Sequence, residues 1–143
     1  MGLDVGTRRI GIAVSDLLGF TAQGLETLQR RNKRYDFQHF ARVIRDYHVS
    51  EIVVGLPRRL SGADSAQTDK VMAFVEDLKK RFDLPIHLWD ERLTSVQANR
   101  LLKEAELSIE RRAAAVDCMA AILILQSFMD ARSAERARSQ AEK

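Results

Sequence analysis

By residue type and setting, Asp4, Glu91 and Asp117 are the side chains of this chain best suited to chemistry. Asp4 lies in GLDVGTRRIG, Glu91 in WDERLTS, and Asp117 inside an alanine-rich helical stretch. Gathered into one pocket, three like charges repel one another until protons or metal ions neutralise them. Mg²⁺ takes a few protein carboxylates together with its own waters, so a shared site of this kind points to an enzyme using divalent cations. Each acid also has a plain structural reading: an Asx-type turn for Asp4, a surface acid or helix cap for Glu91, a solvent-facing position for Asp117. The local settings favour chemistry. Asp4 stands next to a buried strand and two residues before Gly6, which permits a tight turn and close approach of a ligand to the backbone. Thr7 can hydrogen-bond within that turn or to a phosphate. Asp90 and Glu91 follow a short apolar strand whose alternation sends them in opposite directions, so only one enters a cleft. Asp117 interrupts the otherwise apolar run from Ala113 to Leu125, where a mid-helix aspartate needs compensation.

Competing chemistries find less support. His39, His48 and His87 match neither HExxH nor a facial-triad spacing, and no serine has the GxSxG setting. Cys118 is the one cysteine, which excludes an internal disulfide and a cysteine-based zinc cluster. The chain carries 23 Lys and Arg against 20 Asp and Glu, a small excess. Its cations are grouped, at Arg8-Arg9, Arg30-Arg31 with Lys33-Arg34, Arg58-Arg59 and Arg111-Arg112. Local positive fields of this kind attract polyanions, although any one group taken alone also fits a solvated face.

A chain of 143 residues suffices for one domain that buries about two-thirds of its unfolded surface. Gly2 to Val5 reads as a strand, Ile10 to Ser15 as a second with Ile10, Ile12 and Val14 alternating, and Thr21 to Leu28 as a third, together an antiparallel meander. Helical spacing of Phe37, Phe40, Val43, Ile44 and Tyr47 predicts a helix over 35–47. EIVVG, from Glu51, reads as a strand buried on both faces. A second helix carries Val71, Phe74, Val75 and Leu78, followed by a strand from Ile86 to Trp89. Thr94 with Gln97 fits a capping box opening a helix that carries Leu101 and Leu102. The last helix is predicted from about Arg112 to Met129, with Val116, Ala120, Leu123 and Phe128 toward the sheet. The charged segment 131–143 is expected to be a flexible tail. The result is an α/β domain with a mixed sheet of about five strands flanked by helices. Ligands of such sheets bind beyond the carboxyl ends of the parallel strands, where Asp4 and Glu91 fall. With neither a secretory signal nor a membrane-spanning run, a cytoplasmic location is expected.

Four segments, GLDVGTRRIGIAVSD, EIVVGLP followed by SG, DERLTS and VDCMAAILILQ, together resemble the YqgF/RuvX family, candidate pre-16S ribosomal RNA nucleases related to Holliday-junction resolvases. The resemblance covers roughly residues 1–130. It implies one RNase H-like nuclease domain over that span and phosphodiester hydrolysis with Mg²⁺ or Mn²⁺ in the cytoplasm. The substrate it implies is the 5′ end of pre-16S rRNA, alone or in a pre-ribosomal particle. The family's acids fall on Asp4, Glu91 and Asp117, as catalytic residues and metal ligands. Thr7, Arg9, Arg92 and Thr94 match its secondary site positions, and Gly55, Pro57 and Gly62 its substrate-side loop. Arg9, Arg58, Arg59, Arg92, Arg111 and Arg112, with Thr7, are the expected contacts to substrate. There are departures: Met1 begins almost directly on the first motif, Arg58-Arg59-Leu60 replaces the usual Leu-Asn-Met, and Gln97 stands where glutamate is common. Branched DNA as substrate, and RNA binding without catalysis, are the alternative expectations. Nucleotide binding through the Asp4-to-Thr7 turn is disfavoured, because actin-like folds close two domains over the nucleotide.

Overall fold

The computed structural model describes residues 1–56, 65–90 and 109–142, with backbone alone for 65 and 109–117. Its elements run β1 (Gly2–Val5), β2 (Arg9–Ser15), β3 (Ala22–Gly24), β4 (Leu28–Gln29), α1 (Lys33–Asp46), β5 (Ile52–Leu56), α2 (Ser65–Arg81), β6 (Ile86–Asp90) and α3 (Ile109–Ala141). The predicted helix around Leu101 and Leu102 lies outside the described residues.

The sheet order is β3-β2-β1-β5-β6, with β4 also paired to β2. β1, β5 and β6 are parallel; β2 is antiparallel to β1, β3 and β4. β1 is thus central, and the carboxyl ends of all three parallel strands share one edge. The single extended segment expected over 21–28 is two strands instead. Between the pairs Ala13↔Gly24 and Ile10↔Leu28, three steps along β2 oppose four along its neighbour. One extra residue there is a β-bulge, a device that bends a strand and re-aims its side chains. It lies against the stretch of β2 that contains Gly11.

Alternation sorts the central strands into two faces. Leu3, Val5, Ile10, Ile12, Val14, Ile52 and Val54 form one core with Phe37 and Phe40 of α1 and Val71, Phe74 and Leu78 of α2. Phe37, Phe40 and Phe74 pack with ring centroids 5.8–6.0 Å apart, in tilted and edge-on arrangements that suit aromatic quadrupoles. The opposite face is small: Gly2, Gly11, Ala13 and Val53 admit α3 closely. A Cβ on Gly2 would sit 2.8 Å from the Cβ of Leu125, and one on Gly24 would fall 2.0 Å from Cys118 Sγ. β5 is buried throughout because helices cover both of its faces.

Helix α1 starts two residues before the apolar pattern does, since Asn32 caps it by accepting from the Tyr35 amide at 2.8 Å. Among the described side chains of α3 the buried ones are Ala120, Ala121, Ile124 and Leu125, whereas Leu123, expected to face the sheet, is only half-buried. A run that is apolar all round has a weak 3.6-residue signal, so the contacting face is decided by the glycines and alanines it meets. The side chain of Val116 lies outside the description. Helix α3 continues to Ala141, and its residues from Ala134 onward are solvent-exposed and belong to neither core. No described helix is long and apolar enough to cross a membrane.

Candidate active site

Asp4 is the half-buried third residue of β1 and lies on the α3 side of the sheet, because its neighbours Leu3 and Val5 enter the other core. Its register partner on β2 is Gly11, which places no side chain opposite the carboxylate. Two residues earlier on the same face, Gly2 touches α3 at Ala121 and Leu125. The direction of α3 follows from two further contacts. Cys118 and Ile122 lie over Gly24, while Gln126 accepts from the Ala22 amide at 3.0 Å. Going toward its N-terminus, α3 therefore runs toward the carboxyl end of β1. Asp117, one turn before Ala121, belongs to the part of α3 that approaches the row of Asp4 and Gly11. The side chain of Asp117 is outside the description.

The turn after β1 is built to hold its shape. Gly6 donates its amide to the Arg9 carbonyl at 2.9 Å, and a Cβ on Gly6 would lie 2.6 Å from that oxygen. Glycine is thus required by close approach of backbone. Arg30 clamps the turn from β4, its guanidinium donating to the Gly6 carbonyl at 2.8 Å and its amide to the Arg8 carbonyl at 2.9 Å. Thr7 is exposed at the tip. Arg9 is half-buried and, by alternation with Ile10, shares the face of Asp4. β6 ends at Asp90, paired in register with Leu56, on the same edge of the sheet as Asp4.

Glu91, Arg58, Arg59 and Arg92 lie outside the described residues, as do Thr94, Pro57 and Gly62; Gly55 is on β5. Arg111 and Arg112 fall in the first turn of α3, where the backbone alone is described. Of the ten expected site positions, Asp4, Thr7 and Arg9 are placed together, on β1, its turn and β2. Among the described residues, no three His, Cys, Asp or Glu side chains gather closely enough to hold a metal ion. The donors proposed for an ion are all carboxylates, hard oxygen ligands that fit Mg²⁺ or Mn²⁺.

Sequence reasoning passed over two contributors. Gly11 sets a residue without a side chain opposite Asp4, and Arg30 braces the neighbouring turn. Small residues at alternate positions, Gly2 on β1 and Gly11 and Ala13 on β2, were the available signal for close helix approach. Arg30 gave none, since its partners lie across the sheet. The histidines stay out of the site. His87 contacts Glu51 at 3.2 Å, and Glu51 also receives both guanidinium nitrogens of Arg132, at the end of the sheet away from Asp4. Those bonds, the Arg132 pair first, hold the Glu51 carboxyl down from 4.5 to about 2.

The family description "RuvX: Holliday junction resolvase" matches residues 1–131. The chain belongs to the RuvX family. A relative from Koribacter versatilis (strain Ellin345), named as a candidate pre-16S rRNA nuclease, is 57% identical over 136 residues, covering 95% of this chain and 89% of that protein. A relative of the same name from Thermoanaerobacter pseudethanolicus is 48% identical over 133 residues, covering 92% and 96%. Two solved structures share the fold at low identity. One is T. thermophilus RuvC with a Holliday junction substrate, TM-score 0.54 and 16% identity over 92% of this chain and 94% of that one. The other is the Fowlpox virus resolvase with Holliday junction DNA, TM-score 0.53 and 11% identity over 91% and 95%. This RuvX member therefore has an RNase H-like fold, a mixed sheet flanked by helices, and its relatives are nucleases by name.

Proposed function

We propose that this chain is a metal-dependent nuclease that hydrolyses phosphodiesters, with the 5′ region of pre-16S rRNA as its substrate and the cytoplasm as its place of work. The observation that carries the reading is the position of Asp4. It lies on a central strand, at the carboxyl edge of the parallel strands, facing Gly11 and the helix that bears Asp117. The names of the relatives support the rRNA assignment.

Asp4, Glu91 and Asp117 are the carboxylates proposed to hold Mg²⁺ or Mn²⁺. A bound divalent ion supplies charge neutralisation at the phosphoryl group and a water that is acidic enough to attack. The chain's own contribution is placement. Gly11 puts no side chain opposite Asp4, and the Gly6 turn presents Thr7 to a phosphate oxygen. Arg9 adds positive charge on the same face, where phosphoryl transfer gains most from preorganised cations. Arg58, Arg59, Arg92, Arg111 and Arg112 are proposed as further backbone contacts, selecting shape more than base sequence. Residues 1–130 are proposed to form the nuclease domain, with 131–143 as an accessory C-terminal tail that Arg132 anchors to Glu51.

The test is cleavage of a structured pre-16S rRNA fragment with Mg²⁺ or Mn²⁺ by the parent chain, Asp4→Asn and Asp117→Asn. Loss of at least about 100-fold in both variants is expected. Equal rates in all three proteins would remove the assignment. The family description favours one second substrate, a four-way DNA junction, so the same proteins are to be assayed on a junction and a matched duplex. Preferential cutting of the junction over the rRNA fragment would replace the rRNA reading.

A further inference from the structure

One cationic group, Arg30-Arg31 with Lys33, is left unused by the proposed active site, and the fold gives it a definite place. The β1–β2 turn, β4, the start of α1 and the face of α2 enclose a groove of about 790 Å³ that contains Arg8, Arg30, Arg31, Lys33 and Lys70. Asp36 and Asp77 are its only acids among the described residues. Five cations against two acids equal the formal net charge of +3 of the entire chain, gathered in one concavity.

The acids are already engaged. Buried Asp36 accepts from the Arg31 amide at 3.1 Å and lies 3.5 Å from Arg30 Nε; Asp77 pairs with Lys33 at 3.1 Å. Arg8, Arg31 and Lys70 are exposed, and among the described residues no carboxylate pairs with them. The Arg31 guanidinium is held over the Tyr35 ring at 4.5 Å, which orders it without cancelling its charge. Val5, Phe37, Val71 and Phe74 form an apolar floor. Low-dielectric walls of that kind focus the field of the rim charges toward a polyanion.

We propose that this groove binds the phosphodiester backbone of a polynucleotide and leads it to the carboxylate edge of the sheet. The proposal rests on the nucleic-acid reading above and adds to it a path. Val5 lines the groove and Asp4, the preceding residue, faces α3, so a single strand passing the Gly6 turn reaches both. Arg30 fixes that turn by its two bonds to Gly6 and Arg8, keeping the groove and Asp4 in constant relation. Phosphate contacts carry no base information and distinguish ribose from deoxyribose poorly, so RNA and DNA single strands are expected to use the groove alike.

The experiment is fluorescence anisotropy with end-labelled single-stranded RNA and DNA 20-mers of one mixed sequence, in EDTA so that no cleavage occurs. Arg31→Ala and Lys70→Ala are each expected to weaken binding about three- to tenfold. Each should also lower the slope of log K against log salt by about 0.7, the value for one single-strand phosphate contact. The double variant should combine the losses, with a melting curve like the parent's because both side chains are exposed. Arg138→Ala, at the far end of α3, should bind like the parent. A double variant with the parent's affinity and salt slope would overturn the groove, as would a loss confined to one of the two nucleic acids. Asp4→Asn separates the two ideas. If it stops cleavage while the double variant binds normally, the nuclease reading stands and the groove falls. If it cleaves like the parent while the double variant loses binding, the groove stands and the active-site assignment falls.

Discussion

At the scale of single residues, two carboxylates illustrate how environment separates chemistry from support. Asp4 lies on the central strand β1 with no side chain on its register partner Gly11, the setting in which it is proposed to receive an ion. Glu51 is committed to support: Arg132 and His87 occupy both of its oxygens. Its carboxyl titrates at about 2 in the folded chain against 4.5 otherwise. A depressed carboxylate contributes stability that is present above pH 4.5 and is lost as the pH falls from there toward 2. The side chain is about one-third exposed, so solvent screening reduces the contribution to about 1–2 kcal/mol. Glu51→Gln should therefore cost that amount at pH 7 and only about a quarter of it at pH 2.5, measured by urea unfolding. An equal cost at both pH values would show that the pair acts through packing alone.

At the scale of elements, the seat of α3 on the sheet governs both stability and the site. Helix and sheet approach through glycine and alanine, and at Gly2 the contact includes helix backbone. A Cβ placed there meets the Leu125 Cβ at 2.8 Å and the Ala121 carbonyl at 3.0 Å, and the latter is backbone that side-chain rotation cannot relieve. Gly2→Ala is expected to destabilise by about 1–3 kcal/mol, the usual range for overpacking. It should also lift the Asp117 segment from β1. Cleavage at a temperature where the variant is still folded should then fall further than the unfolded fraction accounts for, as a comparison of specific activity with the melting curve would reveal. Activity that tracks only the folded fraction would mean that the α3 seat matters for stability alone.

For the molecule as a whole, charge is arranged by face and edge. One end of the sheet holds the Glu51–Arg132–His87 network; the other carries Asp4 and opens beside the cationic groove. Substrate affinity and turnover should consequently respond to different reagents. A chelator is expected to reduce cleavage to background while leaving single-strand affinity within about twofold, since phosphate contacts come from the chain itself. Raising salt from 50 to 200 mM should weaken binding by roughly tenfold or more if at least three phosphate contacts are made. Filter binding and cleavage measured on the same samples would check both, and affinity that vanished with the chelator would contradict the division.

Much of this was readable from local pattern. Alternation in RIGIAVS and the continuous EIVVG run identify β2 and β5, and the phenylalanine spacing identifies α1, because side-chain period is a property of a few neighbouring residues. The three acids stood out for the same reason, each being at odds with its apolar surroundings. Tertiary structure decided what local pattern could not encode: the bulge that divides β3 from β4, the face that α3 presents, and the Glu51–Arg132 pair across 81 positions of chain. It also decided that Arg8, Arg31 and Lys70, from two connections and a helix, line one groove. Such juxtapositions depend on strand register and on how closely a helix can approach, and those are settled by packing between distant segments.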